Sequence, residues 1–304
     1  MKSSAATVAR DFDSRLKMVI STATGSKRDL DRGRLLIFLA ALLWSLAGVF
    51  IKLLEIHPLT IVFYRSFFAS LVFVPFLKSS EFQFNAPIIV SVISYTAAIT
   101  AFVSANKLTT AANAIVLQYT APVLVYIFSR LVLGEKISNP NALALAVSMV
   151  GVGFISFDNA GQPEMSGVLL ALLSGVLFAI YMVNLQRVKE FSATYLTWLN
   201  NLVCALLVLP FVKQPLALST DQLLIVAIMG AVQLGLPYFL FSRGLQTISL
   251  QEAALIALIE PVLNPVWVAL TVGEIPSFAT LVGGAMILAA LAVRYLGPLL
   301  SRSR

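Results

Sequence analysis

The chain has 304 residues, of which 59% are hydrophobic and 12% charged, and its mean hydropathy is +0.91. A soluble protein of this length carries roughly twice that share of charged residues, so the composition excludes a pair of soluble domains and points to a membrane protein. The net charge of +7 would suit a nucleic-acid binder, but Lys and Arg gather in short segments between long apolar runs, which is the pattern of membrane orientation.

Residues 1–34 read as a cytoplasmic, mostly disordered tail, too long and too charged for a usual secretory leader. Within it Phe12, Leu16, Val19 and Ile20 have helical spacing, which would let the tail rest on a lipid surface. Ten apolar runs follow, at 35–54, 58–77, 86–106, 109–133, 139–157, 165–187, 192–212, 221–243, 249–272 and 277–296. Each is close to the roughly 20 residues that cross ~30 Å of hydrocarbon as a helix, the backbone having no water to bond to there. His57-Pro58, Asn85-Ala86-Pro87, Ser138-Asn139-Pro140, Asn159-Ala160-Gly161 and Ile275-Pro276 punctuate the runs, and residues 297–304 form a short cytoplasmic tail. The expected fold is therefore an all-α integral membrane protein of ten transmembrane helices.

Ten spans bring both ends to one side, and the basic residues choose it. With cytoplasmic ends, seventeen Lys and Arg lie inside, among them Arg32, Arg34, Lys78, Arg130, Lys136, Arg187, Lys189 and Arg243, and only Lys52, Lys107 and Lys213 lie outside. That excess predicts cytoplasmic termini, in a bacterial inner membrane.

The chain repeats itself at a shift of 139 residues. PVLVYIFSRLVLGE, from Pro122, lies over PVLNPVWVALTVGE, from Pro261, and six of the fourteen positions agree. The proline followed twelve residues later by Gly-Glu is the informative part, since Val and Leu match by chance in membrane proteins. Phe102 over Phe241 and Ala114 over Ala253 keep the same shift. The two copies occupy 35–157 and 165–296 with five spans each. Five is odd, so the second copy enters the membrane upside down: an inverted 5+5 repeat, the plan of secondary transporters that open a central site to alternate sides.

Ala111-Ala112-Asn113-Ala114 leading into Gln118-Tyr119-Thr120-Ala121-Pro122, together with Glu260-Pro261, Gly273-Glu274 and Gly283-Gly284, resembles the EamA branch of the drug/metabolite transporter superfamily. The resemblance covers residues 35–296. It implies proton-coupled or exchange transport of small metabolites, often amino acids or their derivatives leaving the cell, without selecting the cargo.

Polar side chains within the spans are the candidate site, since an ion at the bilayer centre costs roughly 2.5–3.5 kcal/mol on insertion scales. Glu260 is twelfth in the ninth span, and Pro261 beside it lacks an N–H, which frees a carbonyl one turn back. Two roles fit Glu260: a cavity group that binds a cation or carries a proton, and a structural hydrogen-bond partner of a neighbouring helix. Arg65 lies about eight residues into the second span, where it can snorkel past Tyr64, pair with an acid such as Glu55, or meet a substrate carboxylate; the structural ion pair is the preferred reading. Glu252 at the start of the ninth span suits a helix N-terminus.

Trp44 and Ser45, Tyr95, Gln118 and Tyr119, Tyr181 and Asn184, Gln233 and Tyr238, and Asn264 and Trp267 also fall within spans. As a set they suggest a neutral or zwitterionic cargo held by hydrogen bonds and ring stacking, although each singly also fits helix-to-helix bonding. Pro122 and Pro261 are candidate paired hinges, and Gly151-x-Gly153 with Gly283-Gly284 candidate close packing sites. Gly-Glu at 134 and 273 reads as a helix end whose carboxylate touches a neighbouring loop.

GxxxxGK[ST], HExxH and GxSxG are absent, His57 is the single histidine and Cys204 the single cysteine, so neither an ATP-driven cycle nor a metal or cofactor is expected. The predicted function is a secondary active exporter of a small organic metabolite, as a monomer or homodimer in contact with lipid. The alternatives are an importer or exchanger of sugar- or nucleotide-like cargo, which the scarcity of buried cations disfavours, and a membrane-embedded lipid enzyme or scramblase.

Overall fold

A computed structural model of the chain describes residues 29–77, 85–121, 149–154, 164–185, 191–212, 218–244 and 259–301, with single positions between them. The described residues form helices and turns. In chain order these are α1 (29–44), α2 (Ala47–Leu53), α3 (Pro58–Phe73), α4 (Ala86–Leu108), α5 (Ala111–Gln118), α6 (Met165–Leu185), α7 (Ala193–Val208), α8 (Thr220–Ile228), a π-helical stretch Met229–Gly235, α9 (Leu236–Gly244), α10 (Ile259–Val272) and α11 (Phe278–Ser301). Short 3₁₀ turns extend α3 to Phe76 and α7 to Phe211.

Six described helices are long and apolar enough to cross a membrane: Asp29–Leu53, Pro58–Phe76, Ala86–Leu108, Met165–Asn184, Ala193–Phe211 and Thr220–Phe241. Ile259–Val272 and Phe278–Ala290 are shorter apolar helices. The described helices match the expected runs at 58–77, 86–106, 165–187, 192–212 and 221–243 to within a few residues, and those at 35–54 and 277–296 extend outward at the two ends of the chain. The runs at 109–133, 139–157 and 249–272 lie only partly within the described residues. The first helix begins at residue 29, inside the segment read as tail, because Leu30 packs with Ile37, Ile248 and Phe241 and Arg34 pairs with Asp31 one turn back. The last helix likewise continues to Ser301. The amphipathic pattern at residues 12–20, Pro122, Gly134, Glu135 and Glu252 lie outside the described residues.

Local chemistry accounts for the helix starts. His57 caps α3, its Nδ1 accepting from Leu59 N, with Pro58 at the first helical position where no N–H is needed. Asn85 accepts from Ile88 N at the start of α4, Thr110 from Asn113 N at α5, and Ser192 from Tyr195 N at α7. Ser219 and Gln222 form a reciprocal capping box at α8. Gly273, the described residue at φ +75°, closes α10: a left-handed residue ends the helix and glycine takes it without a Cβ penalty. Its N–H still bonds to Ala269 O.

The bundle is apolar outside, and its apolar core also holds buried polar side chains. Leu71, Leu173, Leu206, Leu224, Leu270 and Leu281 are exposed, whereas Arg65, Asn106, Asn113, Asn200, Asn201, Gln233 and Asn264 are buried. The bundle has a near face, where α1 begins beside Arg243 and Thr247, and a far face, where α2 ends beside Thr109 and Glu274. Close helix contact is bought with glycine at Gly48, where a Cβ would sit 2.6 Å from Asn264 Oδ1, and at Gly151, where it would meet Gly283 O at 2.6 Å. The expected pairing of small residues is thus present at 151 and 283, while Gly153 faces open space.

Candidate functional site

Three helices lose regular geometry inside the bundle. Between α1 and α2, Leu46 N bonds to Leu43 O at 3.3 Å, three residues back, and Ser45 Oγ donates to Leu42 O at 2.7 Å. After α5, Thr120 repeats this pattern: both its N–H and its Oγ–H donate to Leu117 O, at 3.2 and 2.7 Å. Between α8 and α9 the seven residues Met229–Gly235 widen into a π-helix. Irregular backbone at membrane depth is tolerated only where protein or a cavity satisfies it, and breaks of this kind recur at functional sites.

The first cluster gathers on the near-face side of these breaks. Tyr95 donates to Asn201 Oδ1 at 3.0 Å, and Asn200 Nδ2 donates to the Tyr181 hydroxyl at 3.1 Å. Ring centroids lie 5.4 Å apart for Tyr95 and Tyr181, 6.1 Å for Tyr95 and Tyr238, 5.1 Å for Trp44 and Tyr238, and 5.2 Å for Trp44 and Phe241. Gln233 Nε2, from the π-helical stretch, donates to Trp44 O at 3.3 Å. Side chains from α1, α4, α6, α7 and α9 thus meet in one aromatic and amide lining, seven to nine residues, ~11–14 Å, above the near ends of α4 and α7.

A second group joins α10 to the breaks. Tyr119 Oη lies 2.8 Å from Glu260 Oε2 and 2.9 Å from Ala257 O. Ala257 is four residues before Pro261, so its carbonyl is the one that the proline leaves without a helical donor. A phenol has one hydrogen and a carbonyl none. If Tyr119 donates to Ala257 O, then Glu260 is the donor to Tyr119 and holds a proton; if Glu260 is ionised, Tyr119 donates to it and the Ala257 carbonyl loses its partner. The triplet therefore ties the proton on Glu260 to backbone satisfaction in α10. Two turns on in α10, Trp267 Nε1 donates to Ser45 Oγ at 3.0 Å, so the α1–α2 break is held by α10, and Asn264 is fully buried against Gly48.

The two faces differ. On the far face, Glu274 pairs with Lys52 at 2.6 Å and accepts from Ala111 N at the start of α5, where the helix dipole favours a carboxylate. Lys52 also donates to Thr109 O at 2.9 Å, Lys107 to Leu54 O, and Thr280 Oγ1 to Asn113 Oδ1 at 2.6 Å. The Gly-Glu unit thus contacts the neighbouring α4–α5 turn, as expected of it. On the near face a cavity of about 380 Å³ opens, lined by Asp29, Arg32, Leu36, Phe239, Arg243 and Thr247.

Of the residues singled out from sequence, Trp44, Tyr95, Tyr181, Gln233 and Tyr238 come together, Tyr119 and Glu260 form the second group, and Trp267 and Asn264 the third. Gln118 and Asn184 serve other contacts: Gln118 Nε2 donates to Ser174 Oγ at 2.7 Å, and Asn184, one residue from the end of α6, donates to Pro87 O at 2.7 Å. Arg65 is buried on α3 and Glu55 is exposed in the α2–α3 turn; among the described residues no ion pair joins them. Pro261 is buried in the first turn of α10. Sequence reasoning missed Asn200, Asn201 and Ser91, which bonds to Asn200, and the Lys52–Glu274 pair. The adjacent asparagines stand inside the apolar run LNNLVCALLV, so the rule that found the other polar residues would have found them too.

Apolar helices that turn their amides and charges inward define an integral, multi-pass membrane protein. Comparison with known proteins narrows the class. The description EamA-like transporter family matches residues 31–157 and 165–296. The chain is 27% identical over 266 residues to an uncharacterized transporter of Archaeoglobus fulgidus, covering 86% of this chain and 96% of that protein. It is 28% identical over 199 residues to the uncharacterized transporter YdfC of Bacillus subtilis, covering 63% of this chain and 64% of that one. A crystal structure 19% identical in sequence superposes with a TM-score of 0.66 over 87% of this chain and 97% of that one, a likeness of fold. The chain belongs to the EamA-like transporter family, and a transporter role follows.

Proposed function

We propose that this protein is a secondary active carrier that exports a small organic metabolite, an amino acid or related compound, by alternating access between two inverted five-helix halves, 35–157 and 165–296. The observation that carries the reading is the asymmetry of the two faces: a far face tied by Glu274, Lys52 and Ala111, and a near face with a cavity lined by Asp29, Arg32, Phe239 and Arg243. A carrier needs one face shut while the other is open. Its near face is cytoplasmic, in keeping with the basic residues gathered there, and its host membrane is a bacterial inner membrane.

Glu260 is the coupling group in this scheme. Its proton and the Tyr119 hydrogen can adopt two arrangements, one of which leaves the Ala257 carbonyl without a donor, so protonation biases the α10 backbone beside Pro261. Exchange of a proton for cargo at this point would drive export; without it, the cargo's own gradient does. The breaks at Ser45–Leu46 and Tyr119–Thr120 and the π-helical stretch are the joints about which the halves move.

The test is counterflow in proteoliposomes with labelled amino acids and related metabolites at two pH values. Saturable, pH-dependent exchange is expected, and Glu260→Gln should remove the pH dependence while the protein still inserts. Conductance without saturation, or a Glu260→Gln variant with the original pH profile, would overturn the carrier and the coupling assignments respectively.

A further inference from the structure

We infer that Arg65 is the anion anchor of the transport site and that the cargo carries a single carboxylate. This deepens the carrier reading and rests on it. Arg65 is the eighth residue of the Pro58–Phe76 span and only 2% exposed, so its guanidinium does not reach either membrane surface. Nε and Nη1 are fully buried and have no hydrogen-bond partner. The groups in electrostatic range are Tyr95, Tyr238 and Cys204, all uncharged at neutral pH. Glu55 is exposed, Glu260 is engaged by Tyr119, and Glu274 by Lys52. A guanidinium keeps its proton in a protein interior, so burial cannot be relieved by neutralisation. It calls for an oxyanion instead, and among the described residues none is there.

The surroundings define what that oxyanion belongs to. Tyr95 and Tyr238 are two members of the aromatic lining, which places Arg65 beside the rings that would pack on a cargo's body. Gln233 Oε1, buried without a partner next to Trp44, supplies an acceptor for an N–H or O–H of the same molecule. The near-face cavity offers a matching approach. Arg32 and Arg243 outnumber Asp29 at its rim, and two turns inward from Leu36 and one residue from Phe239 stand Trp44 and Tyr238. One buried cation balances one carboxylate. A phosphate monoester would bring an uncompensated second charge, and an amine without an acid group would be repelled.

The experiment is counterflow by the full chain in proteoliposomes, using a labelled amino acid that exchanges and, as competitors, its carboxamide, its decarboxylated amine, its O-phosphorylated form and benzoate. Free acids should compete, and the amide, the amine and the phosphorylated form should be at least tenfold weaker. Arg65→Gln should raise KM at least tenfold and erase the preference for acid over amide, and Arg65→Lys should restore part of both. If Arg65→Gln fails to insert, the competitor ranking on the natural protein decides. Equal competition by acid and amide, or an Arg65→Gln variant with unchanged KM and preference, would overturn the anchor while leaving the carrier standing. Absence of saturable exchange for every acid tested would overturn both.

Discussion

The far-face tie can be weighed directly. Glu274→Ala removes a charge-assisted bond to Ala111 N and the ion pair with Lys52, whose side chains are 21% and 17% exposed. A hydrogen bond to a charged group contributes about 1.5–3 kcal/mol and a partly solvated ion pair about 0–1 kcal/mol. Residual solvent at the far face lowers the sum, and about 2 kcal/mol is expected, a shift of about 30-fold toward the far-open state. Glu274→Gln keeps an acceptor for Ala111 N and loses only the charge, about 1 kcal/mol or about fivefold. Val49 reports the change. It is 8% exposed, four residues below the end of α2, and packs with Ala111 and Val268 beneath the tie. With Cys204→Ser as background, labelling of Val49→Cys by a membrane-impermeant maleimide from the far side should accelerate about 30-fold with Glu274→Ala and about fivefold with Glu274→Gln. Labelling that stays constant in both variants would refute the claim that these contacts hold that face shut.

Other expectations follow from single contacts. Tyr119→Phe leaves the Ala257 carbonyl, already without a helical donor, unpaired inside the bundle; a loss of about 1–2 kcal/mol is expected, read as a lower unfolding midpoint by tryptophan fluorescence in detergent. An unchanged midpoint would mean that Ala257 finds another donor. Gly48→Val places methyl groups where Asn264 Oδ1 already lies 2.6 Å from a Cβ, so α2 and α10 are forced apart at a cost of about 1–3 kcal/mol; yield and midpoint should both fall, whereas Gly153→Val, facing open space, should leave them as they are. Asn201→Leu removes the acceptor of the Tyr95 hydroxyl, and should alter KM for cargo more than it alters thermal stability if that ring lines the site.

Much of the architecture could be read from the chain without coordinates, because hydropathy acts segment by segment. A run of apolar residues bounded by Pro and Asn must be a helix in lipid whatever its neighbours do, and the capping roles of Asn85 and Ser219 are likewise local. The freed carbonyl before Pro261 is local too, since it follows from a missing N–H. The rule that polar side chains avoid lipid identified Trp44, Tyr95, Tyr181, Gln233, Tyr238 and Glu260 as inward-facing candidates, and it applies equally to Asn200 and Asn201.

What the chain alone could not supply was the pairing. Tyr119 meets Glu260 across 141 residues, Trp267 meets Ser45 across 222, and Glu274 reaches Ala111 across 163, and these contacts exist only after the helices have packed. The helix breaks belong to the same category. Ser45–Leu46 contains neither Gly nor Pro, the residues whose backbone chemistry marks an interruption in advance. Tyr119–Thr120, by contrast, stands within one turn of Pro122, and the π-helical stretch ends within one turn of Pro237, markers that show where a helix weakens but not which geometry it takes. Packing also decided the fate of Arg65. Sequence distance favoured Glu55 as its partner, but the fold turns Glu55 to the surface and leaves the guanidinium among tyrosines, because a side chain's partner is set by which helices share an interface.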